Sequence, residues 1–435
     1  MTMGSDAASQ SAALERLSAF EAARLLARRE VSAEQMTRAC LNRIEEREPT
    51  VHAWTVINAD AAIRHAKQLD RGPIKGVLHG LTLGVKDLFD TADLPTAYGS
   101  PIYANYQPRA DAATVALCRR AGAVILGKTV TTEFATFQPG PTRNPLNPGH
   151  TPGGSSSGSA AAVADYMAHL AFGTQTAGSI VRPAAFCGIV GYKPSFGHVT
   201  RAGVKSLSES LDTVGGFGRT VEDVALLAAA ITHDHRLLDL NADMAPRIGL
   251  CRTSDWSSAD KDAQSAFASA ATALSKAGAV VSDVQLPDFF AGLVQIQQDV
   301  MAFEAFQALS HEQEVAPGKI SARLKQLQEQ GASISFERHQ NNLLTAKLAR
   351  HNMNAVFNEY DALLTPGARG EAPLADLGTG DPLFCRSWTL LGLPCVQLPV
   401  TSGAHGLPVG VQLVGRYAAD YSLLQIARWT QQQLR

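Results

Sequence analysis

The sequence predicts an α/β fold built as one domain. Short apolar runs alternate with helical patterns along the chain, which is typical of a layered α/β architecture. The 435 residues, 45% of them hydrophobic, are enough to bury one large core. The stretch 139–159 is rich in Gly, Pro, Ser and Asn but is followed directly by a helix-forming segment. We therefore interpret it as a functional loop and not as a linker between domains.

The N-terminal part of the chain predicts a flexible tail followed by two helices. We interpret residues 1–11 as the tail, and this start lacks the apolar core of a secretory signal. Two helix starts follow, at Ser18 and Ser32, each with Glu or Gln three residues later, which is the pattern of a capping box. We expect the second helix to end before Pro49, because proline lacks the backbone N–H that a helix interior requires.

The rest of the chain alternates strand-like and helix-like segments. Residues 112–120 have the pattern of a helix. Strands are expected at the apolar runs 81–85, 123–126, 362–364, 395–400 and 409–414. Residues 290–355 form the most helical stretch, and we expect them to cover the substrate pocket at one end of the sheet. Their apolar residues recur at helical spacing, so packing against the sheet is the alternative.

Composition argues against several classes of partner. The formal net charge is -2, and Lys and Arg are scattered among Asp and Glu, so no basic face is predicted for nucleic acid. No stretch approaches the ~20 apolar residues of a membrane-spanning helix. The six cysteines form no CxxC pair and no cluster with histidine. This argues against structural zinc and favours a reduced, cytoplasmic protein. The sequence leaves open whether the protein forms a homodimer.

Three short segments carry groups that suit nucleophilic catalysis. Lys86 directly follows an apolar run and could act as a base only if burial lowered its pKa from about 10.4. The loop at 153–158 brings hydroxyls and backbone N–H groups together ahead of a helix, which suits a polarised or anionic oxygen. The segment 176–179 does the same after a second strand, with N–H groups aimed at one point, as an oxyanion hole requires.

In these segments the sequence closely resembles the amidase signature family. The matching motifs are GVKD at 84–87, PGGSSSGSAAAVA from Pro152 and GTQTAGSIVRPAAFCGIVGYKPS from Gly173. The resemblance extends from about Ala19 to Leu424, and the 24-residue spacing of Ser155 and Ser179 matches that of the family. It implies the amidase-signature fold, a large mixed β-sheet covered by helices on both faces.

By this resemblance Ser179 is the nucleophile, Ser155 relays its proton, and neutral Lys86 receives it. The resemblance also implies a cis peptide bond before Ser155 and an acyl-enzyme intermediate. The oxyanion would be held by the backbone N–H groups of Thr176, Ala177, Gly178 and Ser179. The implied function is hydrolysis of a carboxamide-type C–N bond in a small-molecule amide, namely a neutral aliphatic, aryl or carbamate substrate. No metal or organic cofactor is expected.

Four positions depart from the pattern of many relatives. Many members have Asp where this chain has Gln175, and Gly where it has Ser157 and Ala177. Gln175 removes a carboxylate beside the nucleophile loop. It is a candidate either for contact with the substrate or for hydrogen bonding to residues that support the catalytic groups. Arg182 lies three residues after Ser179, whereas many relatives place an arginine two after. It is equally compatible with anchoring a substrate and with pairing inside the protein.

Two other patterns carry less weight. Residues 122–129 match the phosphate-loop pattern G-x-x-x-x-G-K-T, but the four variable positions are an apolar strand run preceded by a helix. We therefore reject a phosphate site there. His150 or His198 would permit a Ser–His–Asp site, but no GxSxG elbow is present and Lys86 would have no role.

Two alternative functions share the same fold. The amidotransferase A subunit makes ammonia from glutamine for transfer onto charged tRNA, and it would act within a complex. Gln175, Ala177 and the short chain favour a stand-alone hydrolase over this alternative. A binding protein without activity is disfavoured because all three catalytic positions are occupied by the expected residues.

Overall fold

The described part of the chain is built around one mixed sheet of eleven strands. The computed structural model describes residues 14–241 and 245–434, so the tail predicted at 1–11 lies outside the described residues. The strands are β1 Trp54–Ile57, β2 Thr82–Lys86, β3 Val124–Thr129, β4 Leu170–Gln175, β5 Val190–Lys193, β6 Thr213–Gly218, β7 Arg247–Leu250, β8 Val280–Asp283, β9 Ala362–Pro366, β10 Cys395–Ser402 and β11 Pro408–Val414. Their order across the sheet is β1-β3-β2-β4-β6-β5-β10-β11-β9-β7-β8.

Fourteen α-helices lie among the described residues. They are α1 Ala19–Ala27, α2 Ala33–Val51, α3 Ala59–Arg71, α4 Ala113–Arg120, α5 Ser157–Ala164, α6 Val181–Cys187, α7 Val221–Thr232, α8 Lys261–Lys276, α9 Leu293–Ala308, α10 Ser310–Val315, α11 Ala322–Ala332, α12 Phe336–Glu359, α13 Leu383–Leu390 and α14 Asp420–Gln433. Within 14–241 and 245–434, none of these helices combines the length and the apolar character that a bilayer crossing requires.

Helices cover both faces of the sheet, as predicted. Side chains alternate between the two faces along a strand. On β9, Ala362 and Leu364 belong to one hydrophobic core together with residues of α7, α8 and α14. Leu363, between them, belongs to a second core that includes residues of α2, α9 and α13. Both faces are therefore buried under helices, which confirms the predicted fold class.

The predicted element positions are confirmed, and one predicted boundary is wrong. The capping boxes at Ser18 and Ser32 are both formed. However, α2 continues through Pro49 to Val51. Pro49 is exposed near the end of this helix, so the one carbonyl that loses its N–H partner can bond to water. The helix ends where the next residue, His52, adopts a left-handed conformation with φ of 51°.

The sheet brings the ends of two strands to one edge. The strands β2 and β4 are parallel neighbours, with Leu83 opposite Leu170. Parallel neighbours end at the same edge of a sheet, and in open α/β sheets ligands bind beyond the carboxyl ends of such strands. Lys86 is the last residue of β2, and Gln175 is the last residue of β4. The lysine motif and the nucleophile motif therefore meet at one edge.

Candidate active site

Lys86 is a fully buried amine in contact with two hydroxyls. Its side chain has no exposed surface. Nζ lies 2.8 Å from Ser155 Oγ and 2.7 Å from Thr174 Oγ1. Burial lowers the pKa of Lys86 well below its usual range, because a buried ammonium loses its hydration, and the nearby Asp212 carboxylate opposes this shift. The structure therefore supplies the condition under which a lysine can act as a base.

Ser155 lies on the glycine–serine loop, directly after a cis peptide bond between Gly154 and Ser155. The carbonyl of that peptide accepts a hydrogen bond from the Arg182 guanidinium, with Nη2 and the oxygen 2.6 Å apart. Arg182 also donates to the carbonyl of Gly380. The guanidinium is fully buried, and burial lowers its pKa to about 10, so it remains a cation at neutral pH. Its contacts position the Ser155 loop from inside the protein.

Gln175 holds the start of α6 against the end of β4. Its Oε1 accepts the backbone N–H groups of Ile180, at 2.9 Å, and of Val181, at 3.0 Å. These are N–H groups that the beginning of a helix cannot satisfy internally. Its Nε2 donates to Thr389 Oγ1 at 2.9 Å. Gln175 is thus bonded to protein groups on both ends of its amide and supports the loop that carries Ser179.

Three consecutive carbonyls of this loop are held from behind. Thr176 O accepts from Gln297 Nε2 at 2.9 Å. Ala177 O accepts from Thr389 Oγ1 at 2.7 Å, and Gly178 O accepts from the Arg182 N–H at 2.9 Å. These carbonyls belong to the peptide units whose N–H groups come from Ala177, Gly178 and Ser179, respectively.

A peptide unit is planar and its N–H points away from its C=O, so each of these hydrogen bonds also fixes the direction of one N–H. Within residues 14–241 and 245–434, the N–H groups of 176–179 donate to no protein acceptor. Free, fixed donors of this kind are what an oxyanion hole needs.

Ser179 closes the loop and has 7% of its surface exposed. In the described part of the chain, the hydrogen bond from Lys86 reaches Ser155 but no further bond extends to the Ser179 hydroxyl. The loops that carry the two serines nevertheless pack together, because Arg182, three residues after Ser179, bonds to Gly154 O. The structure thus brings Lys86 and Ser155 into direct contact and places Ser179 on the adjoining loop.

Several residues at the site were not singled out from the sequence. The Asp212 carboxylate accepts from Thr176 Oγ1 at 2.5 Å and from the N–H groups of Leu207 and Ser208. Gln297 and Thr389 were not singled out either. They lie 121 and 212 residues along the chain from Thr176 and Ala177, the loop residues whose carbonyls they bond. No local pattern marks such residues.

Lys128 belongs to the rejected phosphate-loop pattern and has a structural partner. It lies on the buried strand β3, as its apolar neighbours predicted. Its Nζ is 3.0 Å from Asp87 Oδ1 and donates to Phe89 O at 2.8 Å. This buried ion pair fixes the chain directly after Lys86.

The histidines considered for a Ser–His–Asp site have other contacts. His198 Nδ1 lies 3.1 Å from Asp420 Oδ2, and that same carboxylate accepts from Ser195 Oγ at 2.5 Å. The backbone of His150 forms an isolated bridge with Leu374. Neither contact involves Ser155 or Ser179.

A cavity of about 220 Å³ opens beside the nucleophile loop. Its lining includes Thr174, Thr176, Arg201, Lys205 and Asp212. Among the described residues that line it, none belongs to the segment 290–355. That segment contacts the loop through Gln297, while its apolar side chains such as Leu293 and Phe303 are buried in the core. A role of 290–355 as the pocket cover stays a prediction.

The mixed sheet and the buried lysine beside a serine loop define an amidase-signature protein. The family model described as Amidase matches residues 35–424. The chain belongs to the Amidase family.

Individual relatives agree with this membership. The A subunit of glutamyl-tRNA(Gln) amidotransferase from Acidothermus cellulolyticus is 36% identical over 479 residues, covering 95% of this chain and 93% of that protein. A crystal structure of an amidase is 29% identical with a TM-score of 0.89, covering 96% of this chain and 100% of that one. The peptide amidase from Stenotrophomonas maltophilia is 28% identical with a TM-score of 0.83, covering 96% and 97%.

Proposed function

We propose that this chain hydrolyses a carboxamide-type C–N bond, with Ser179 as nucleophile, Ser155 as proton relay and Lys86 as base. The observation that carries the proposal is the 2.8 Å contact between the fully buried Lys86 amine and the Ser155 hydroxyl. Because burial lowers the pKa of Lys86, the amine is available to accept a proton.

In the first step Ser179 Oγ attacks the carbonyl carbon of the amide, and a C–O bond forms. The Ser179 proton passes to Ser155 Oγ while the Ser155 proton passes to Lys86 Nζ, so that the substrate oxygen becomes negative and Lys86 becomes an ammonium. Thr174 Oγ1, 2.7 Å from Nζ, accepts an N–H of the neutral amine. The neutral amine can then turn its lone pair toward Ser155 Oγ, 2.8 Å away, and accept the Ser155 proton.

The negative oxygen is stabilised by the backbone N–H groups of Thr176, Ala177, Gly178 and Ser179. The directions of the last three, from Ala177, Gly178 and Ser179, are set before the reaction by Gln297, Thr389 and the Arg182 N–H. Donors that are already oriented need no reorganisation when the charge develops, which is the main advantage of such a site.

When the tetrahedral intermediate collapses, the proton on Lys86 returns through Ser155 to the leaving nitrogen. The C–N bond breaks, the amine leaves, and the acyl group remains as an ester on Ser179. A water molecule then attacks this ester and gives up a proton through Ser155 to Lys86. When the C–O bond to Ser179 breaks, that proton returns through Ser155 to Ser179 Oγ, which releases the acid and restores all three residues.

A second candidate is the supply of ammonia from glutamine as the A subunit of a tRNA amidotransferase. It uses the same chemistry with glutamine as the amide, and the 36% identity to such a protein over nearly the whole chain favours it. Gln175, Ala177 and the short chain are the sequence features that favour a stand-alone hydrolase. The named relative supports the amidotransferase alternative better than it supports a stand-alone enzyme, so glutamine is the first amide to test.

The experiment compares amides with and without partner subunits. Turnover of an anilide by the purified chain alone would support a stand-alone hydrolase of neutral amides. Ammonia release from glutamine that depends on added amidotransferase partner subunits would support the second candidate. Ser179→Ala is the matched control in both assays. If the wild type turns over neither amide and a serine-directed phosphonate fails to label it, the chain is a binding protein on this fold and the proposal is wrong.

A further inference from the structure

The cavity beside the nucleophile loop contains a lysine that the reaction steps leave unused. Lys205 lines this cavity together with Thr174 and Thr176. Thr174 contacts the Lys86 amine, and Thr176 is the first residue of the nucleophile loop. The cavity therefore adjoins the site through Thr174 and Thr176.

Lys205 is held in place by its neighbours, but part of its side chain remains exposed. Its Nζ lies 2.6 Å from Glu312 Oε1, and 21% of its side chain is exposed, whereas the Glu312 side chain is fully buried. The ammonium also lies 5.8 Å from the ring centroids of Tyr103 and Phe134, close enough for cation–π attraction. Its backbone N–H donates to Leu88 O, two residues after Lys86.

An ammonium carries three N–H donors, and Glu312 is its one hydrogen-bond acceptor in the part of the chain described. Two donors are thus available to a ligand. Among the described residues Lys205 lines the cavity, whereas the fully buried Glu312 does not, so the cavity meets the positive member of this pair.

The other charged groups of the cavity also have partners. The Arg201 guanidinium donates to Glu209 twice, to its backbone oxygen and to its carboxylate at 3.0 Å. Asp212 is saturated by the Thr176 hydroxyl and by backbone N–H groups. Lys205 is one of two cations that line the cavity, and among the described residues its partner Glu312 does not line it, whereas Glu209, the partner of Arg201, does.

We infer that Lys205 is a specificity-determining residue that binds a carboxylate carried by the amide substrate. This inference rests on the proposed hydrolase function and narrows its substrates to amides that carry an anionic group near the scissile bond. It competes with the expectation of a neutral aliphatic, aryl or carbamate substrate. It also assigns the anion-binding role to Lys205 and not to Arg182, because the Arg182 guanidinium bonds to the backbone carbonyls of Gly154 and Gly380.

The test uses two amides that differ in one charged group, succinamate and butyramide, with ammonia release as the readout. The wild type should prefer succinamate. Lys205→Met should lower kcat/KM for succinamate about 10- to 100-fold, mainly through KM, and change that for butyramide by less than about twofold, as expected for one charge-assisted bond. Lys205→Arg, which keeps the cation, should retain part of the preference.

Removing Lys205 alone leaves the buried Glu312 without its partner and could impair folding. The double variant Lys205→Met/Glu312→Gln removes both charges together and should show the same selective loss. Lys347→Met, on the exposed face of α12, is the matched control and should leave both rates unchanged.

The possible outcomes separate the inference from the function on which it rests. Equal turnover of both amides by the wild type, or an unchanged preference in the double variant, would overturn the role of Lys205 and leave the hydrolase proposal intact. Release of ammonia from neither amide by the wild type would overturn the role of Lys205, and the anilide, glutamine and phosphonate experiments would then decide the hydrolase proposal separately.

Discussion

Replacing Thr389 by valine tests whether the loop behind the oxyanion is positioned by side-chain contacts. The Thr389 hydroxyl donates to Ala177 O at 2.7 Å and accepts from Gln175 Nε2 at 2.9 Å. Valine keeps the shape but removes the oxygen, so both groups lose a buried partner. Each loss costs about 1–3 kcal/mol, which gives about 2–6 kcal/mol of unfolding free energy as an upper range.

The effect on activity follows from the peptide plane. The carbonyl of Ala177 and the N–H of Gly178 belong to the same planar unit, so freeing the carbonyl lets that N–H turn. Removing an oxyanion donor outright costs about 10²- to 10³-fold in kcat, and misdirecting one should cost about 10- to 100-fold. KM should change little, because the donor matters most when the oxygen is charged.

The assay is ammonia release at saturating amide, with the melting temperature measured on the same protein. Thr389→Ser retains the hydroxyl and should recover most of the wild-type kcat, which separates the hydrogen bond from simple packing. If Thr389→Val melts at a lower temperature but keeps kcat within about twofold of wild type, the hydroxyl only supports the fold and the positioning argument is refuted.

Three further predictions concern the catalytic groups and their support. Ser179→Ala should abolish turnover at an unchanged melting temperature, while Ser155→Ala and Lys86→Ala should each lower kcat by about 10³-fold or more; a folded, active Ser179→Ala protein would contradict the assignment. Because burial lowers the pKa of Lys86 and only its neutral form accepts a proton, kcat/KM should fall as the pH drops through that lowered value. Lys86→Arg should not restore activity, and a pH profile that is flat on the acid side would make Lys86 structural. Arg182→Met should lower kcat equally for neutral and anionic amides, because it releases Gly154 O; a loss confined to anionic amides would show substrate contact.

The contacts that orient the site could not be predicted from local patterns. Gln297 and Thr389 reach the nucleophile loop from α9 and α13, which are 121 and 212 residues away in the chain. Local propensity and periodicity depend on neighbours within a few turns, whereas these hydrogen bonds depend on how distant helices pack. The prediction that the helix ends before Pro49 fails for a related reason. Whether a proline ends a helix depends on whether the carbonyl left without an N–H partner can reach water, and this is decided by the folded structure.

The sequence by itself determined the α/β class, the capped helices and five of the eleven strands, and its motifs marked Lys86, Ser155 and Ser179 as candidate catalytic residues through their resemblance to the family. These follow from short-range periodicity and from motifs of a few residues, which are complete within one stretch of chain. Only the tertiary structure decided that Lys86 is buried against Ser155 and Thr174, since its pKa depends on groups brought together by the sheet. Packing also decided that Arg182 faces the protein interior, because burial and partners are properties of the folded chain.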